Sequence, residues 1–260
     1  MSVDRCTKIV WLSGNRFGFE VIKEALQAFK KYDHHLITLS QDSKTVMYDG
    51  MPEEDWQTLS CKKYFIDRMN REVDLLSKIS PDVVVMCGWR QIISEEILNI
   101  PKKAFIAFHP TILPWGRGPA PIINTILSGA SKSGVSLFHA CSKTDAGDII
   151  DQQSFSLSSD ENASSLYDKV VLAGKKLIND NLASIVKGNS RRTAQEESKA
   201  FTFKKLKLSD NEIDLKNDSL DLIDRKIRAL SSPYLGAYIR CGNKKLIIEK
   251  AKLCTVAKKH

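Results

Sequence analysis

The sequence predicts an α/β fold, with a doubly wound, mostly parallel sheet followed by a small α+β module at the C-terminal end. Apolar, β-branched runs alternate with segments of helical spacing up to about residue 190. Residues 82–88 are dominated by one β-branched apolar run, typical of a parallel strand covered by helices on both faces. The length of 260 residues suits one large domain, or one domain with a small appendage.

The first predicted unit is a strand at 8–12, a tight loop, and a helix at 17–31 whose apolar residues recur every three or four positions. Residues 41–60 are polar and irregular and are expected to form a surface excursion. The remaining strands are predicted at 35–39, 82–88, 104–108 and 135–140. The remaining helices are predicted at 65–79, directly after Ser94 as N-cap, and at 121–127.

A polar stretch near residue 195 separates the predicted sheet from the tail. We expect residues 1–195 to form the main domain and residues 196–260 a small C-terminal domain. Within the tail, the pattern predicts a helix at 220–230. Two strands, at 236–241 and 245–251, are joined by a turn at Gly242-Asn243.

Composition excludes several classes of protein. The mean hydropathy is -0.24, and no apolar run reaches the roughly 18 residues needed to cross a bilayer, so no membrane association is predicted. The N-terminal residues lack the pattern of a secretory signal, which makes a cytoplasmic location the expectation. Six cysteines lie far apart without ligand spacing, which predicts reduced, mostly buried thiols and no metal site.

The net charge of +8 is unevenly distributed along the chain. Residues 1–198 contain 24 Lys and Arg against 24 Asp and Glu, whereas residues 199–260 contain 15 against 7. The whole excess therefore lies in the tail. A basic tail favours a phosphate-rich partner, although paired lysines without interleaved aromatic residues are also typical of a solvated surface.

Three loops each follow a predicted strand and are expected to converge, namely 13–18, 109–121 and 141–148. The middle loop begins with His109 at the end of a strand, and its four prolines restrict the backbone. The first loop contains two glycines with an intervening Arg16, which disfavours a dinucleotide cradle. The stiffened middle loop is the strongest candidate for a pre-organised site.

Two motifs together resemble one family. The pattern His109-Pro110-x-x-Leu113-Pro114 with Arg117-Gly118-x-x-Pro121 is followed by Asp145-x-Gly147-x-Ile149. This combination is similar to the folate-dependent formyltransferases. The resemblance extends from Lys8 to about Ile150 and more weakly into the tail, where residues 227–238 resemble the family's C-terminal module. It implies a Rossmann-like sheet and 10-formyltetrahydrofolate as the formyl donor, without a metal.

The resemblance implies a catalytic pair. Attack of an amine on a formyl carbon needs a base, a stabiliser for the developing oxyanion and a proton route to the leaving nitrogen. His109 is expected to act as base and proton shuttle. Asp145 is expected to orient it and fix its tautomer, with Asp148 as the alternative carboxylate.

One position departs from the family pattern. Relatives place Asn two residues before the histidine, where its amide helps to hold the formyl oxygen, and this chain has Ala107. Loss of one such donor costs about 10²–10³ in rate. The candidate replacements are Gln91, Asn15 and Asn124, or protonated His109 alone. A folate-binding pseudoenzyme is the non-enzymatic alternative.

The resemblance also implies two binding surfaces. The residues expected to bind the folate are Gln91, Ile92, Ile93, Thr111, Leu113, Pro114, Cys141, Ser142, Lys143 and Thr144. The residues expected to bind the acceptor substrate are Asn15, Arg16, Phe17, Trp89, Arg90 and Arg117. Arg16 lies at a predicted helix N-terminus, which favours an anionic group such as a pyrophosphate.

The tail decides between the expected acceptors. About 60 residues are too few for the complete C-terminal barrel of the tRNA enzyme, which favours a nucleotide-linked amino dideoxy sugar as acceptor and a possible homodimer. The first alternative is methionyl-tRNA formyltransferase, which predicts tRNA binding with strong salt dependence. A formyltetrahydrofolate hydrolase, in which water replaces the amine, is the third enzyme hypothesis.

Overall fold

The computed structural model describes residues 6–254, and its centre is a seven-stranded sheet. The strands of the chain are β1 Lys8–Leu12, β2 Asp33–Leu39, β3 Lys62–Ile66, β4 Val83–Met86, β5 Ala104–His109, β6 Trp115–Arg117, β7 Lys132–His139, β8 Ile149–Ser156, β9 Phe201–Thr202, β10 Ala237–Cys241 and β11 Lys244–Ile248. The α-helices are α1 Arg16–Ala28, α2 Glu53–Gln57, α3 Val73–Ile79, α4 Glu95–Leu98, α5 Pro121–Leu127, α6 Ala163–Lys187 and α7 Leu220–Ala229. Short 3-10 helices lie at Met69–Arg71, Glu197–Lys199 and Leu208–Asn211.

The predicted fold class is confirmed. The strand order in the main sheet is β3-β2-β1-β4-β5-β7-β8. The first five strands of this order are parallel, whereas β7 runs antiparallel to β5 and β8 antiparallel to β7. The order reverses between β1 and β4, and ligands of doubly wound sheets bind outside the carboxyl ends of strands at such a point.

Strand periodicity divides the core between the two faces of the sheet. Ile9 and Trp11 of β1 face α1 and α6, whereas Val10 and Leu12 face the side covered by α3 and α4. Along β5, Phe108 packs on the first face and contacts Phe17 edge to face at 5.6 Å between ring centroids. Residues 105, 107 and 109 therefore point to the second face, and this alternation decides where His109 lies.

A buried histidine joins β1 to β2. The His34 Nδ1 atom accepts a hydrogen bond from Trp11 Nε1 at 3.1 Å, so its Nε2 atom carries the proton and donates to the Phe29 carbonyl at 3.0 Å. Burial lowers the pKa of His34 below its usual value because the charged ring loses its hydration. The neutral tautomer is the form that this packing accommodates.

Two sequence expectations need correction. The segment predicted as a helix at 65–79 begins as β3, passes through a 3-10 turn at Met69–Arg71, and becomes helical only at Val73. The segment predicted as an irregular excursion at 41–60 contains α2, whose Trp56 is buried at 1% exposure against Phe19. In both segments, tertiary burial decides the local structure.

The predicted boundary near residue 195 is more structured than a free linker. Strand β9 pairs with β6 inside the proline-rich loop, and Phe203 N donates to the Arg117 carbonyl at 2.8 Å. In the tail, α7 and the antiparallel β10–β11 hairpin lie close to their predicted positions. The turn at Gly242 has a φ of 58°, a conformation that glycine adopts without strain. The division into domains at residue 195 stays a prediction.

The cysteines are free, but the expectation that most are buried is wrong. Only Cys87 is buried, Cys61 is half-buried and the other four are exposed. Between residues 6 and 254, no helix is both long and apolar enough to cross a membrane. The same residues contain no group of three or more His, Cys, Asp or Glu side chains arranged to hold a metal ion.

Candidate active site

His109 is the last residue of β5 and lies on the face of the sheet opposite α1 and α6. It is 6% exposed. Ala107 precedes it on the same face, and the two residues pair across the strands with Phe138 and Ser136 of β7. The loop that follows turns at once, because Thr111 N donates back to the His109 carbonyl at 2.9 Å.

Both ring nitrogens of His109 have defined neighbours. Nε2 lies 2.7 Å from the carbonyl oxygen of Gly116, and because a carbonyl only accepts, Nε2 is the donor. Nδ1 lies 3.5 Å from Asp145 Oδ2. This second separation exceeds that of a strong hydrogen bond, as is common in catalytic pairs without substrate. The Nδ1 edge of the ring therefore faces the Asp145 carboxylate, while the Nε2 edge is taken by Gly116.

Asp145 reaches His109 from the loop at 141–148. Its Oδ2 atom accepts a hydrogen bond from Gly118 N at 2.9 Å, so the same oxygen contacts both the histidine and the loop that follows it. The backbone of Asp145 has a φ of 53°, in the left-handed region that Asp and Asn tolerate better than most residues. Asp148 instead pairs with Arg192 at 3.3 Å, away from the histidine.

The loop at 141–148 does not reach His109 in the way that the sequence predicts, which is from the end of a strand parallel to β5. Strand β7 runs antiparallel to β5, so its end at His139 lies opposite Ile106 rather than beside the carboxyl end of β5. The loop reaches His109 by folding back, and His139 N donates to the Asp148 carbonyl at 2.8 Å where it closes. Gly147 makes that closure possible, because a Cβ atom there would lie 1.7 Å from the His139 carbonyl oxygen.

Arg117 is buried between the two glycines that contact the pair. It is 4% exposed, and its guanidinium donates to Gln195 Oε1 at 2.7 and 3.0 Å and to the two oxygens of Glu197 at 2.8 and 3.2 Å. The hydrogen bonds from Arg117, and then from Lys143, lower the pKa of Glu197 to about 2. Although Arg117 is predicted to bind substrate, its guanidinium contacts the 195–197 segment instead.

An apolar floor lies beside His109. Ala107, Leu113 and Phe138 are buried together, at 0%, 2% and 2% exposure, and half-buried Met86, Ala140 and Ile149 extend the cluster. Leu113 precedes a cis peptide bond to Pro114. The buried methyl group of Ala107 therefore occupies the position where the family pattern has an amide.

The three amide side chains proposed to replace the missing asparagine are hydrogen-bonded elsewhere. Gln91 donates to Thr45 Oγ1 and the Asp67 carbonyl, and accepts from Met69 N. The Asn15 amide caps α1 through Gly18 N and donates to Asp49 Oδ2 at 2.7 Å. The Asn124 amide nitrogen donates to backbone carbonyls, the nearest being that of Pro119 at 2.9 Å.

A second polar cluster lies at the carboxyl ends of β1 and β4. Its centre is the buried carboxylate of Asp49, 6% exposed, which accepts from Asn15, from Tyr167 Oη at 3.0 Å and from Arg90 at 3.0 Å. Burial, and then the charge of Asp49, raise the pKa of Tyr167 and of Tyr234. Asn15 and Arg90 are thus brought together as expected, through an acid that the sequence did not single out.

The other predicted binding residues are more dispersed. Phe17 is a core residue at 5% exposure, and Arg16 pairs on the surface with Asp168 at 2.7 Å. Ile92 is 80% exposed, whereas Ile93 packs on the second core cluster. Thr111 is buried and Pro114 half-buried, Trp89 is half-buried with an unpaired Nε1 atom, and Cys141, Ser142, Lys143 and Thr144 are exposed beside Asp145.

Residues 8–182 match the family model described as formyl transferase. Residues 205–260 match the model described as formyl transferase, C-terminal domain. The first match alone covers more than half of the chain. The protein belongs to the formyl transferase family. His109, Ala107 and Asp145 all lie inside the first matched region.

Curated relatives of this protein include methionyl-tRNA formyltransferases. That of Lysinibacillus sphaericus (strain C3-41) is 32% identical over 171 residues, which is 66% of this chain and 54% of the relative. That of Bacillus subtilis (strain 168) is 30% identical over 185 residues, 71% of this chain and 58% of the relative. The chain therefore spans about half the length of the curated relatives it matches.

Solved structures share the fold. A sugar N-formyltransferase from Shewanella sp. superposes with a TM-score of 0.76 at 20% identity, covering 96% of this chain and 99% of the other. The methionyl-tRNA formyltransferase from Clostridium thermocellum superposes with a TM-score of 0.66 at 21% identity, covering 95% and 94%. At these identities the likeness establishes the fold of the formyl transferase family and leaves the acceptor open.

The sequence did not point to three groups at this candidate site. The Gly116 carbonyl is a backbone group with no side-chain signal. Asp49 stands in the segment predicted as an irregular excursion at 41–60, where it is one of several acids. Gln195 lay in the predicted linker, where a polar composition gave no indication of its contacts with the Asp145 loop.

Proposed function

We propose that the protein transfers a formyl group from 10-formyltetrahydrofolate to a primary amine, with His109 and Asp145 as the proton-handling pair. Family membership supports the reaction class. The observation that carries the proposal is the approach of His109 Nδ1 to Asp145 Oδ2 at 3.5 Å, in a buried site whose other ring nitrogen is fixed by Gly116. A carboxylate beside an imidazole is the arrangement that moves protons near neutral pH.

The two residues divide the proton chemistry between them. An acceptor amine is nucleophilic only after it loses its ammonium proton, and the Nδ1 edge of His109 with Asp145 accepts that proton. The amine lone pair then adds to the formyl carbon, and the carbonyl electrons move to the oxygen to give a tetrahedral oxyanion. His109 gives its proton to the donor nitrogen as that carbon–nitrogen bond breaks and the carbonyl forms again, and the second amine proton then passes to the freed His109 and on to solvent. Because Gly116 holds Nε2, the ring does not need to flip between these steps.

Oxyanion stabilisation falls to His109 in this proposal. Ala107 supplies no donor, and Gln91, Asn15 and Asn124 direct their amide groups to other partners. A protonated His109 presents an Nδ1–H group beside Asp145, at a separation longer than that of a strong hydrogen bond, so this hydrogen is the one proposed to turn to the substrate oxygen. Proton delivery and charge stabilisation thus reside in one group.

The formyl donor is proposed to lie against the apolar floor. Bound there, 10-formyltetrahydrofolate supplies an activated formyl carbon and a nitrogen leaving group. The half-buried Met86, Ala140 and Ile149 offer accessible apolar surface, backed by the fully buried Ala107, Leu113 and Phe138, and exposed residues 141–144 offer backbone groups at its edge. Donor-binding roles for Thr111 and Pro114 are consistent with their places in the loop after His109.

A nucleotide-linked amino sugar is the proposed acceptor. The neutral charge balance of residues 1–198 suits a single small acceptor at the sheet, and the likeness to a sugar N-formyltransferase along the whole chain supports the same choice. The cluster of Asn15, Asp49 and Arg90 is the proposed contact for the polar part of the acceptor.

Methionyl-tRNA is the second candidate acceptor, on two specific observations. Curated relatives at 30–32% identity are methionyl-tRNA formyltransferases. The tail beyond residue 198 carries the whole net charge of +8, a balance that favours a polyanionic partner. Under this alternative the tail contacts phosphates and the His109 site is unchanged.

The experiment that tests the proposal is a formylation panel. The protein is incubated with 10-formyltetrahydrofolate and one acceptor at a time, either a UDP-, dTDP- or GDP-linked amino sugar or initiator methionyl-tRNA. The mass of each acceptor is then measured by mass spectrometry. The gain of one formyl group on a sugar nucleotide supports the leading proposal. Formylation of tRNA alone replaces the acceptor with the second candidate. Donor binding without transfer to any amine contradicts the proposed activity.

A further inference from the structure

Gln195 lies where three parts of the site meet. Its Nε2 atom donates to the backbone carbonyls of Asp145, at 2.9 Å, and Gly147, at 2.8 Å. Its Oε1 atom accepts two hydrogen bonds from the guanidinium of Arg117, at 2.7 and 3.0 Å. One amide therefore connects the loop that carries Asp145 with the loop that follows His109.

The position of Arg117 makes this connection relevant to the chemistry. Its two neighbours along the chain make the backbone contacts of the catalytic pair. Gly116 accepts from His109 Nε2 at 2.7 Å, and Gly118 donates to Asp145 Oδ2 at 2.9 Å. The Arg117 side chain anchors the short segment between these contacts, so its placement affects the orientation of both catalytic side chains.

The segment that carries Gln195 is itself held against the loop. Phe201 N donates to the Pro114 carbonyl at 3.1 Å, and Phe203 N donates to the Arg117 carbonyl at 2.8 Å. The Phe203 ring packs so close to Gly116 that a Cβ atom there would lie 2.8 Å from it. Gln195 is thus attached to the same rigid unit as the groups that it contacts.

We infer that Gln195 is a positioning residue, which sets the separation of His109 and Asp145 by holding the Asp145 loop and Arg117 through one side-chain amide. The inference rests on the proposed role of the His109–Asp145 pair. Its two hydrogen-bonding ends act on different loops, so their contributions are separable by substitution. A pair at 3.5 Å is sensitive to such support, because a misplacement of about 1 Å costs about 10²-fold in rate.

Gln195→Glu is the sharpest variant. It keeps an oxygen for Arg117 but places a second oxygen against the carbonyls of Asp145 and Gly147, so the contact with the Asp145 loop becomes repulsive. Gln195→Ala removes all four hydrogen bonds without adding a charge. Glu196→Ala is the matched control, because the neighbouring Glu196 is exposed and pairs with Lys199 and Ser198.

Two readouts separate positioning from general stability. The first is kcat with the acceptor found in the panel, measured beside the dissociation constant of 5-formyltetrahydrofolate and the melting temperature. The second is the nuclear magnetic resonance spectrum of ¹⁵N-labelled histidines, which needs no acceptor. The signals that are missing from the spectrum of His109→Gln are assigned to His109. His34, whose ring contacts Trp11 on another part of the sheet, is the internal reference.

For both Gln195 variants we expect kcat to fall about 10- to 100-fold. We also expect the chemical shifts of the His109 ring nitrogens to change. Donor affinity should stay close to that of Glu196→Ala, and the His34 signals should not move. The lost hydrogen bonds should lower the melting temperature by a few degrees without unfolding the protein at the assay temperature. If one variant does not fold, the other decides by the same comparison.

Three results would overturn the inference. In the first, kcat and the His109 signals are unchanged in both Gln195 variants. In the second, Glu196→Ala shows the same changes as the Gln195 variants. In the third, the loss of kcat is no larger than the accompanying losses of donor affinity and melting temperature explain. Failure of the proposed function looks different, because either the wild-type protein would then transfer no formyl group to any amine, or His109→Gln would keep the wild-type rate.

Discussion

Replacement of Asp145 by Asn is the most discriminating change at the proposed site. Asn has nearly the same shape, keeps an oxygen to accept the hydrogen bond from Gly118 N at 2.9 Å, and tolerates the left-handed backbone at a φ of 53°. Asp145→Ala, in contrast, would lose that hydrogen bond and introduce backbone strain. Asp145→Asn therefore removes the negative charge beside His109 and little else.

The size of the effect follows from the 3.5 Å separation of Asp145 Oδ2 and His109 Nδ1. A unit charge at that distance stabilises an imidazolium by about 1 kcal/mol at an effective dielectric constant of about 80, and by about 5 kcal/mol at about 20. Since about 1.4 kcal/mol corresponds to tenfold in rate, kcat should fall by roughly 10-fold to a few thousand-fold. His109 is buried and Asp145 is 17% exposed, which favours the upper part of this range.

The assay compares Asp145→Asn with wild type by single-turnover formyl transfer at saturating donor, with the melting temperature recorded for both. We expect the melting temperature to change by no more than about 2 °C, since the backbone and the Gly118 hydrogen bond are kept. A rate within about threefold of wild type would refute the proposed role of the carboxylate. A large loss of melting temperature would show that Asp145 is structural.

The other predictions concern packing and pH. Gly147→Ala places a Cβ atom 1.7 Å from the His139 carbonyl oxygen, so kinetic assays should show a loss of about 10²-fold, whereas Gly188→Ala, with nothing within 4 Å, should leave the rate unchanged. The free energy of unfolding in urea should decrease as pH falls below about 6.5, because burial lowers the pKa of His34 and the unfolded chain then binds more protons than the folded one. His34→Gln should reduce the slope of this free energy against pH, and an equal slope in the variant would contradict the prediction. Ala107→Asn should lower the free energy of unfolding by about 1–3 kcal/mol in the same urea assay, since the position is fully buried. It should not speed up formyl transfer, and a tenfold faster transfer would show that the missing amide limits the rate.

The proximity of His109 and Asp145, the proposed catalytic pair, was predictable because the signals in the sequence are local. A histidine that ends a buried strand, a loop with four prolines and a distant Asp-x-Gly pattern all stand in the printed sequence. Strand alternation along β5 also gives the shared face of Ala107 and His109. The sequence does not predict the direction of β7, because an antiparallel strand of this length has much the same apolar pattern as a parallel one.

Long-range contacts account for the other differences. Ile66, Met69, Val73 and Leu76 recur at helical spacing, yet the chain changes from strand to 3-10 turn to helix among them because β3 pairs with β2. Gln195 stands in a polar stretch that composition alone marks as a linker. Its contacts with residues about 50 and 78 positions away leave no periodic signal in the sequence.

The central claim is that His109 moves the proton during formyl transfer, and the most direct test is His109→Gln. A glutamine can still donate to the Gly116 carbonyl, which lies 2.7 Å from Nε2 in wild type, but it cannot accept and return a proton. Single-turnover transfer from 10-formyltetrahydrofolate to the acceptor is measured by mass spectrometry for both proteins. We predict a loss of about 10²–10⁴-fold with unchanged binding of 5-formyltetrahydrofolate. Transfer within about threefold of the wild-type rate would contradict the claim.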